Sequence, residues 1–274
     1  MDIIQVITQE LKVEKWQVEA AVKLIDEGNT IPFISRYRKE ATGSLNDEQL
    51  RALFERLTYL RNLEDKKNQV LKSIEDQGKL TEELKKQILD AQTLVVVEDL
   101  YRPYRPKRRT RAIIAKEKGL EPLANIIMLQ MTDKPIEEEA QDFVSEEKGV
   151  ETVADAINGA KDIIAEHISD EADYRIYLRK LTMDKGSVAS AAKKPEESSV
   201  YEMYYEFEEP IKKLAGHRVL ALNRGEKEKI LTVKVNAPEE EAMGWLQKQV
   251  ITKENPITKP ILREVVEDSH KRLI

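Results

Sequence analysis

Residues 46–78 read NDEQLRALFERLTYLRNLEDKKNQVLKSIEDQG, and this stretch decides the class of fold. Asn46, followed three positions later by Gln49, has the form of a capping box, in which each side chain satisfies the other residue's backbone N–H. Leu50, Leu53, Leu57, Leu60, Leu63, Val70, Leu71 and Ile74 recur at helical spacing, and Gly78 supplies a C-terminal stop. The pattern predicts a single helix over residues 47–77, about 46 Å long at the α-helical rise. No single compact core covers that length, so the helix is expected to bridge two packing units.

Composition agrees with long solvated helices. Of 274 residues 35% are charged and 41% hydrophobic, with 5% aromatic and only 10 Gly and 10 Pro. This balance disfavours a β-sandwich, a collagen or a disordered tail. The absence of Cys removes disulfides, thiolate zinc sites, iron–sulfur clusters and cysteine nucleophiles, and suits a reducing cytosol. No apolar run approaches the roughly 18–20 residues that span a bilayer, which predicts no membrane partner. Met1-Asp2-Ile3-Ile4 lacks the basic flank of a secretory signal. The expectation is a cytoplasmic protein.

Outward from the long helix the same periodicity continues. Upstream, Ile3, Ile4, Ile7 and Leu11 mark one helix, and Val18, Ala21, Val22 and Ile25 a second. Thr30 caps a third, with Pro32 in its first turn. Downstream, Thr81 opens a helix to about residue 91, and Leu94–Val97 reads as helix because Glu98, Asp99 and Leu100 continue it without a turn signal. Pro103 and Pro106 predict an extended segment from Tyr101 to Arg109, after which Thr110 caps a helix ending at Gly119 and Pro122 starts the next. Further helices are expected near 135–147, 152–168, 170–184, 239–252 and 259–273, with a linker over 186–199. The strand signal lies late: 217–222 and 229–235 flank Asn223-Arg224-Gly225-Glu226 as a hairpin would. The chain stops within an apolar-periodic helix at Leu273-Ile274, which suggests a fragment of something longer.

No catalytic motif is visible. His167, His217 and His270 fall in no metal-ligand spacing, and no phosphate-binding glycine loop or nucleophile elbow occurs. The expectation is therefore a non-enzyme with no cofactor and no metal. What remains is charge. Net charge is −6, yet Arg102–Lys118 holds eight basic residues and one acid, while 133–151 holds eight acids and two lysines.

The sharpest feature is Tyr101-Arg102-Pro103-Tyr104-Arg105-Pro106-Lys107-Arg108-Arg109-Thr110-Arg111. Its prolines spread Arg102, Arg105, Lys107, Arg108, Arg109 and Arg111 along a line that can follow phosphates, with Tyr101 and Tyr104 placed to stack on bases. The competing reading is that these cations dock on acidic surface of the same chain, such as the 133–151 block. Arg36, Arg38 and Lys39 form a smaller basic cluster on a short helix, read mainly as solvated charge with Tyr37 packed inward. Tyr201, Met203, Tyr204, Tyr205 and Phe207 are read as core rather than as a stacking platform.

Several of these runs resemble one family. IPFISRYRKE at 31–40 with Thr42-Gly43, EDLYRPY at 98–104, PKRRT at 106–110, GLEPLA at 119–124 and HRVLALNRG at 217–225 are similar to segments of the Tex family of bacterial transcription accessory proteins. The resemblance covers nearly the whole chain. It implies a cytoplasmic, transcription-linked protein that binds RNA or DNA and works with the transcription machinery. It further implies a mainly α fold: a discontinuous, multi-helical N-terminal domain over 1–70 and 205–274, with a small β-hairpin near 217–235 and an inserted helix-turn-helix-like domain over 71–204. Family members continue into RNase H-like, helix-hairpin-helix and S1 modules, and the S1 module carries most of the RNA binding. The expected function is thus a non-enzymatic, nucleic-acid-associated scaffold that positions those modules. The alternative is a protein-interaction scaffold with no nucleic-acid contact of its own.

Overall fold

A computed structural model describes residues 2–273. They form fourteen α-helices and one small antiparallel sheet, the mainly α fold expected. The chain packs as two compact units, Met1–Tyr104 and Arg105–Ile274.

The first unit is organised by the long helix. Helices α1 (Ile3–Leu11), α2 (Lys15–Asp26) and α3 (Ile31–Tyr37) precede α4 (Asp47–Asp76), and α5 (Glu82–Asp90) and α6 (Leu94–Tyr101) follow it. The capping box opens α4 as expected: Gln49 N donates to Asn46 Oδ1 at 2.8 Å, and Asn46 N donates to Gln49 Oε1 at 3.0 Å. Leu50, Leu53, Leu57, Leu60, Leu63, Val70 and Ile74 are all buried. Ion pairs show which partners lie along which part. Arg56 meets Glu10 of α1 at 2.5 Å and Arg61 meets Asp26 of α2 at 2.7 Å, whereas Lys66 meets Glu98 of α6 at 2.5 Å. The helix therefore does span two helical groups, and both belong to the first unit.

One buried position in the stripe is polar. Lys67 is only 1% exposed; its ammonium donates to the Leu89 carbonyl at 2.7 Å and meets Glu64 at 3.1 Å. Leu89 sits in the last turn of α5, where carbonyls lack intrahelical partners, so the lysine supplies both a proton and a compensating charge.

The second unit surrounds α10 (Val153–Asp170). Helices α7 (Arg111–Glu117), α8 (Glu121–Leu129), α9 (Ile136–Gln141) and α14 (Thr258–Leu273) pack on it, and α13 (Glu239–Val250) packs on α14. Leu123, Ile127, Ile164, Ile168, Leu246, Leu262 and Val266 fill the shared core. The approach of α7 to α10 is close because small residues line it: Ala112, Ala115, Ala156 and Ala160 are buried there, and a Cβ on Gly159 would lie 2.3 Å from Leu120 Cδ1.

The sheet corrects the expected hairpin. Residues 217–222 are not a strand: they lie in helix α12 (Gly216–Lys227). The strands are β1 (Ser187–Ala192), β2 (Glu206–Pro210) and β3 (Leu231–Asn236), in the order β2-β1-β3, with Ser187 opposite both Pro210 and Asn236. Gly225 misled the reading. It is a helical residue on which β3 leans, and a Cβ there would meet Leu231 Cδ1 at 2.7 Å. The central strand, SVASAA, falls within the stretch read as a linker after α11 (Ala172–Lys185). Its small residues carry little intrinsic strand preference, so pairing on both edges defines it. Tyr201 and Tyr204 are buried with Leu222 and Leu231 under this sheet, so they are core, while Met203 is exposed.

The three histidines also separate here. His217 and His167 are exposed, and His270 is buried on α14 with an Nε2 that has no hydrogen-bond partner among the described residues. Burial holds the His270 pKa below its usual 6.5, against a weaker opposing pull from Glu239. A histidine with a lowered folded-state pKa gives stability that is complete above the unfolded value and is lost as pH falls through about 6.5. Urea unfolding of the second unit should show lower stability at pH 5.5 than at pH 7.5, and His270→Gln should flatten that difference. Identical slopes for the two proteins would show that His270 does not titrate in this range.

Candidate nucleic-acid interface

The basic segment begins in the first unit. Tyr101 ends α6, its hydroxyl 2.9 Å from Ser73 Oγ and its ring 5.9 Å from the Lys66 ammonium, so it fastens α6 to α4. Arg102–Tyr104 continues as a 3-10 turn, so the segment expected to be extended from Tyr101 is helical as far as Tyr104. Gln77 at the end of α4 donates to the Tyr104 carbonyl at 3.0 Å and steadies that turn. Arg102 is exposed and Tyr104 half-buried.

In the second unit Arg105–Thr110 is non-helical, and Thr110 then caps α7, accepting from Ile113 N at 3.1 Å. Lys107 turns inward. It lies between Asp170, to which it donates, and Glu166 at 3.1 Å, and all three side chains are less than a quarter exposed. Arg111 reaches Asp162 at 3.3 Å. Asp162, Glu166 and Asp170 stand four residues apart on α10 and so share one face. The last two also stand at the negative end of the helix dipole, which a lysine offsets. Carboxylates do hold part of the segment, then, but they come from α10 rather than from the 133–151 block.

Four of the cations are nonetheless solvent-exposed. Arg105, Arg108, Arg109 and Arg111 are exposed. Arg109 pairs with Glu117 at 2.9 Å, yet both side chains are more than half exposed, and Arg111 is 69% exposed. Pairs this solvated contribute about 0–1 kcal/mol and exchange readily for another anion. Arg108 has no ion pair among the described residues.

The smaller cluster at 36–39 differs from its expectation. Arg36, Arg38 and Lys39 are exposed and have no carboxylate partner among the described residues. Tyr37, expected inward, is 67% exposed. Helix α3 has seven residues and fully buries only Ile34, so Phe33 and Tyr37 are left facing out as a ring pair 5.3 Å apart. The Arg38 guanidinium lies 5.4 Å from the Phe33 ring. An aromatic pair at i and i+4 beside three cations was the sequence signal that could have exposed this.

Comparison with known proteins accounts for the motifs. Residues 1–75 match the Tex-like protein N-terminal domain, and residues 131–271, just over half of the chain, match the Tex central region-like family. The chain belongs to the Tex family. Uncharacterized protein YdcI of Bacillus subtilis (strain 168) is 48% identical over 98% of this Tex chain and 38% of its own length. The transcriptional accessory protein Tex of Neisseria gonorrhoeae is 41% identical over 85% of this chain and 31% of its own. The human S1 RNA-binding domain-containing protein 1 is 32% identical over 100% of this chain and 29% of its own. This Tex chain therefore spans well under half the length of these relatives. No described helix is long and apolar enough to cross a membrane, and no described group of three or more His, Asp or Glu is placed to hold a metal.

Proposed function

We propose that this Tex chain is a non-enzymatic, cytoplasmic scaffold region of a transcription-associated protein, and that it contacts RNA or DNA through the cations of Arg105–Arg111. The observation that carries this reading is the division of labour within one loop. Lys107 is spent inside, tying the loop to α10, while Arg108, Arg109 and Arg111 keep their guanidinium groups in solvent. A loop anchored by one mostly buried cation is already ordered before contact, which lowers the entropic cost of binding a polyanion. The names of the relatives, one a transcriptional accessory protein and another an S1 RNA-binding protein, support the same class of partner. The helical body would position the RNase H-like, helix-hairpin-helix and S1 modules of the longer family members.

Salt-titrated binding to labelled oligonucleotides tests it. Arg108→Glu/Arg109→Glu should weaken binding by about tenfold or more at low salt and lower the salt slope by about 1–2. Undiminished affinity would remove the loop from the interface and leave the protein-interaction reading.

A further inference from the structure

A second group of exposed cations lies apart from the long basic loop. They are Arg36, Arg38 and Lys39, all exposed and all without a carboxylate partner among the described residues. They flank the exposed Phe33–Tyr37 ring pair. A net positive, aromatic surface of this kind is complementary to a polyanion that also offers flat apolar faces. Duplexes hide those faces by stacking bases on one another; an unpaired strand presents them.

The backbone beneath this surface is held in place. The turn carrying Arg38 and Lys39 is closed by Ser44 N donating to the Lys39 carbonyl at 2.7 Å, and it is seated by the wholly buried Thr42. Gln17 Nε2 of α2 donates to the Gly43 and Thr42 carbonyls at 2.9 and 3.3 Å. Gly43 has φ +60°, and a Cβ there would lie 2.4 Å from the Trp16 ring, so any other residue would strain this turn. The backbone that carries these side chains is thus already ordered before a ligand arrives, which leaves only side-chain freedom to be lost on binding.

The geometry points to Phe33 and Tyr37, with Arg36, Arg38 and Lys39, as a stacking site for bases of single-stranded nucleic acid. This inference rests on the nucleic-acid reading above and names the strand state that the first unit recognises. Fluorescence anisotropy of the 274-residue chain with a labelled oligouridine tests it, using a strand of about 15 nucleotides, near the site size of one single-strand-binding fold. The same strand made abasic and a duplex of equal length are the comparisons. The intact strand should bind about tenfold more tightly than the abasic strand. Tyr37→Ala should remove most of that preference and Tyr37→Trp should keep it. If Phe33→Ala/Tyr37→Ala binds the strand as the parent does, while Arg108→Glu/Arg109→Glu loses it, this site is wrong and the loop reading stands. If no oligonucleotide binds at all, the nucleic-acid reading fails and takes this one with it. Equal, Tyr37-dependent capture of polyglutamate would make the partner an acidic protein and would overturn the inference.

Discussion

Gln130→Met should lower the stability of the second unit by about 3 kcal/mol, the cost of leaving one buried carbonyl and two N–H groups without their partner. Gln130 sits just past α8, only 4% exposed, in the left-handed backbone region at φ 54°. Its Nε2 donates to the Val250 carbonyl at 2.9 Å, and its Oε1 accepts from Thr252 N and Lys253 N, both at 3.1 Å. Asn255 completes the joint by donating to the Thr132 carbonyl at 2.9 Å. One amide thus ties the end of α8 to the turn after α13. Methionine matches its length and apolar volume, so packing survives and only the hydrogen bonds are removed. For a unit of this size the melting point should fall by about 6–12 °C, measured by circular dichroism. A shift within about 1 °C of zero would show that water replaces the amide without loss.

Lys107→Ala should separate anchoring from binding within the basic loop. Removing the lysine leaves Glu166 and Asp170, both mostly buried at the C-terminal end of α10, without the ammonium they share. The expected loss is about 2 kcal/mol, reduced from the fully buried case by residual exposure. Arg108→Ala/Arg109→Ala should change stability by under about 0.5 kcal/mol, because one side chain has no ion partner and the other's pair is solvated. Thermal melts and oligonucleotide titrations on both variants check this. If the double variant is the less stable of the two, the loop is held in a way that contradicts the contacts described.

Helix content and helix ends were legible because they are local. The Asn46–Gln49 box, the stripe from Leu50 to Ile74 and the Thr110 cap depend on neighbours within a few residues, and each appears in the structure. The sheet was not legible, since each of its strands is defined by a partner far along the chain. HRVLAL, read as a strand, lies in α12, which packs on β3 rather than pairing with it. SVASAA has no pattern of its own. At the candidate site the sequence shows the cations but not how they are allocated. Nothing local shows that Lys107 would point at Asp170 while Arg108 points away. The exposure of Tyr37 was different: a helix as short as α3 has room for few inward positions, and its i, i+4 spacing from Phe33 was a local signal for an outward ring pair.

The two units also differ in when they can be completed. Every contact described for α4 joins residues that lie between Glu10 and Tyr104, so the first unit is finished once about a hundred residues have been synthesised. The second unit closes through Gln130 to Val250 and Lys161 to Glu264, and remains open until its last helix leaves the ribosome. Low contact order at one end and high contact order at the other mean that translation delivers a folded amino-terminal body while α10 still waits for its carboxy-terminal neighbour.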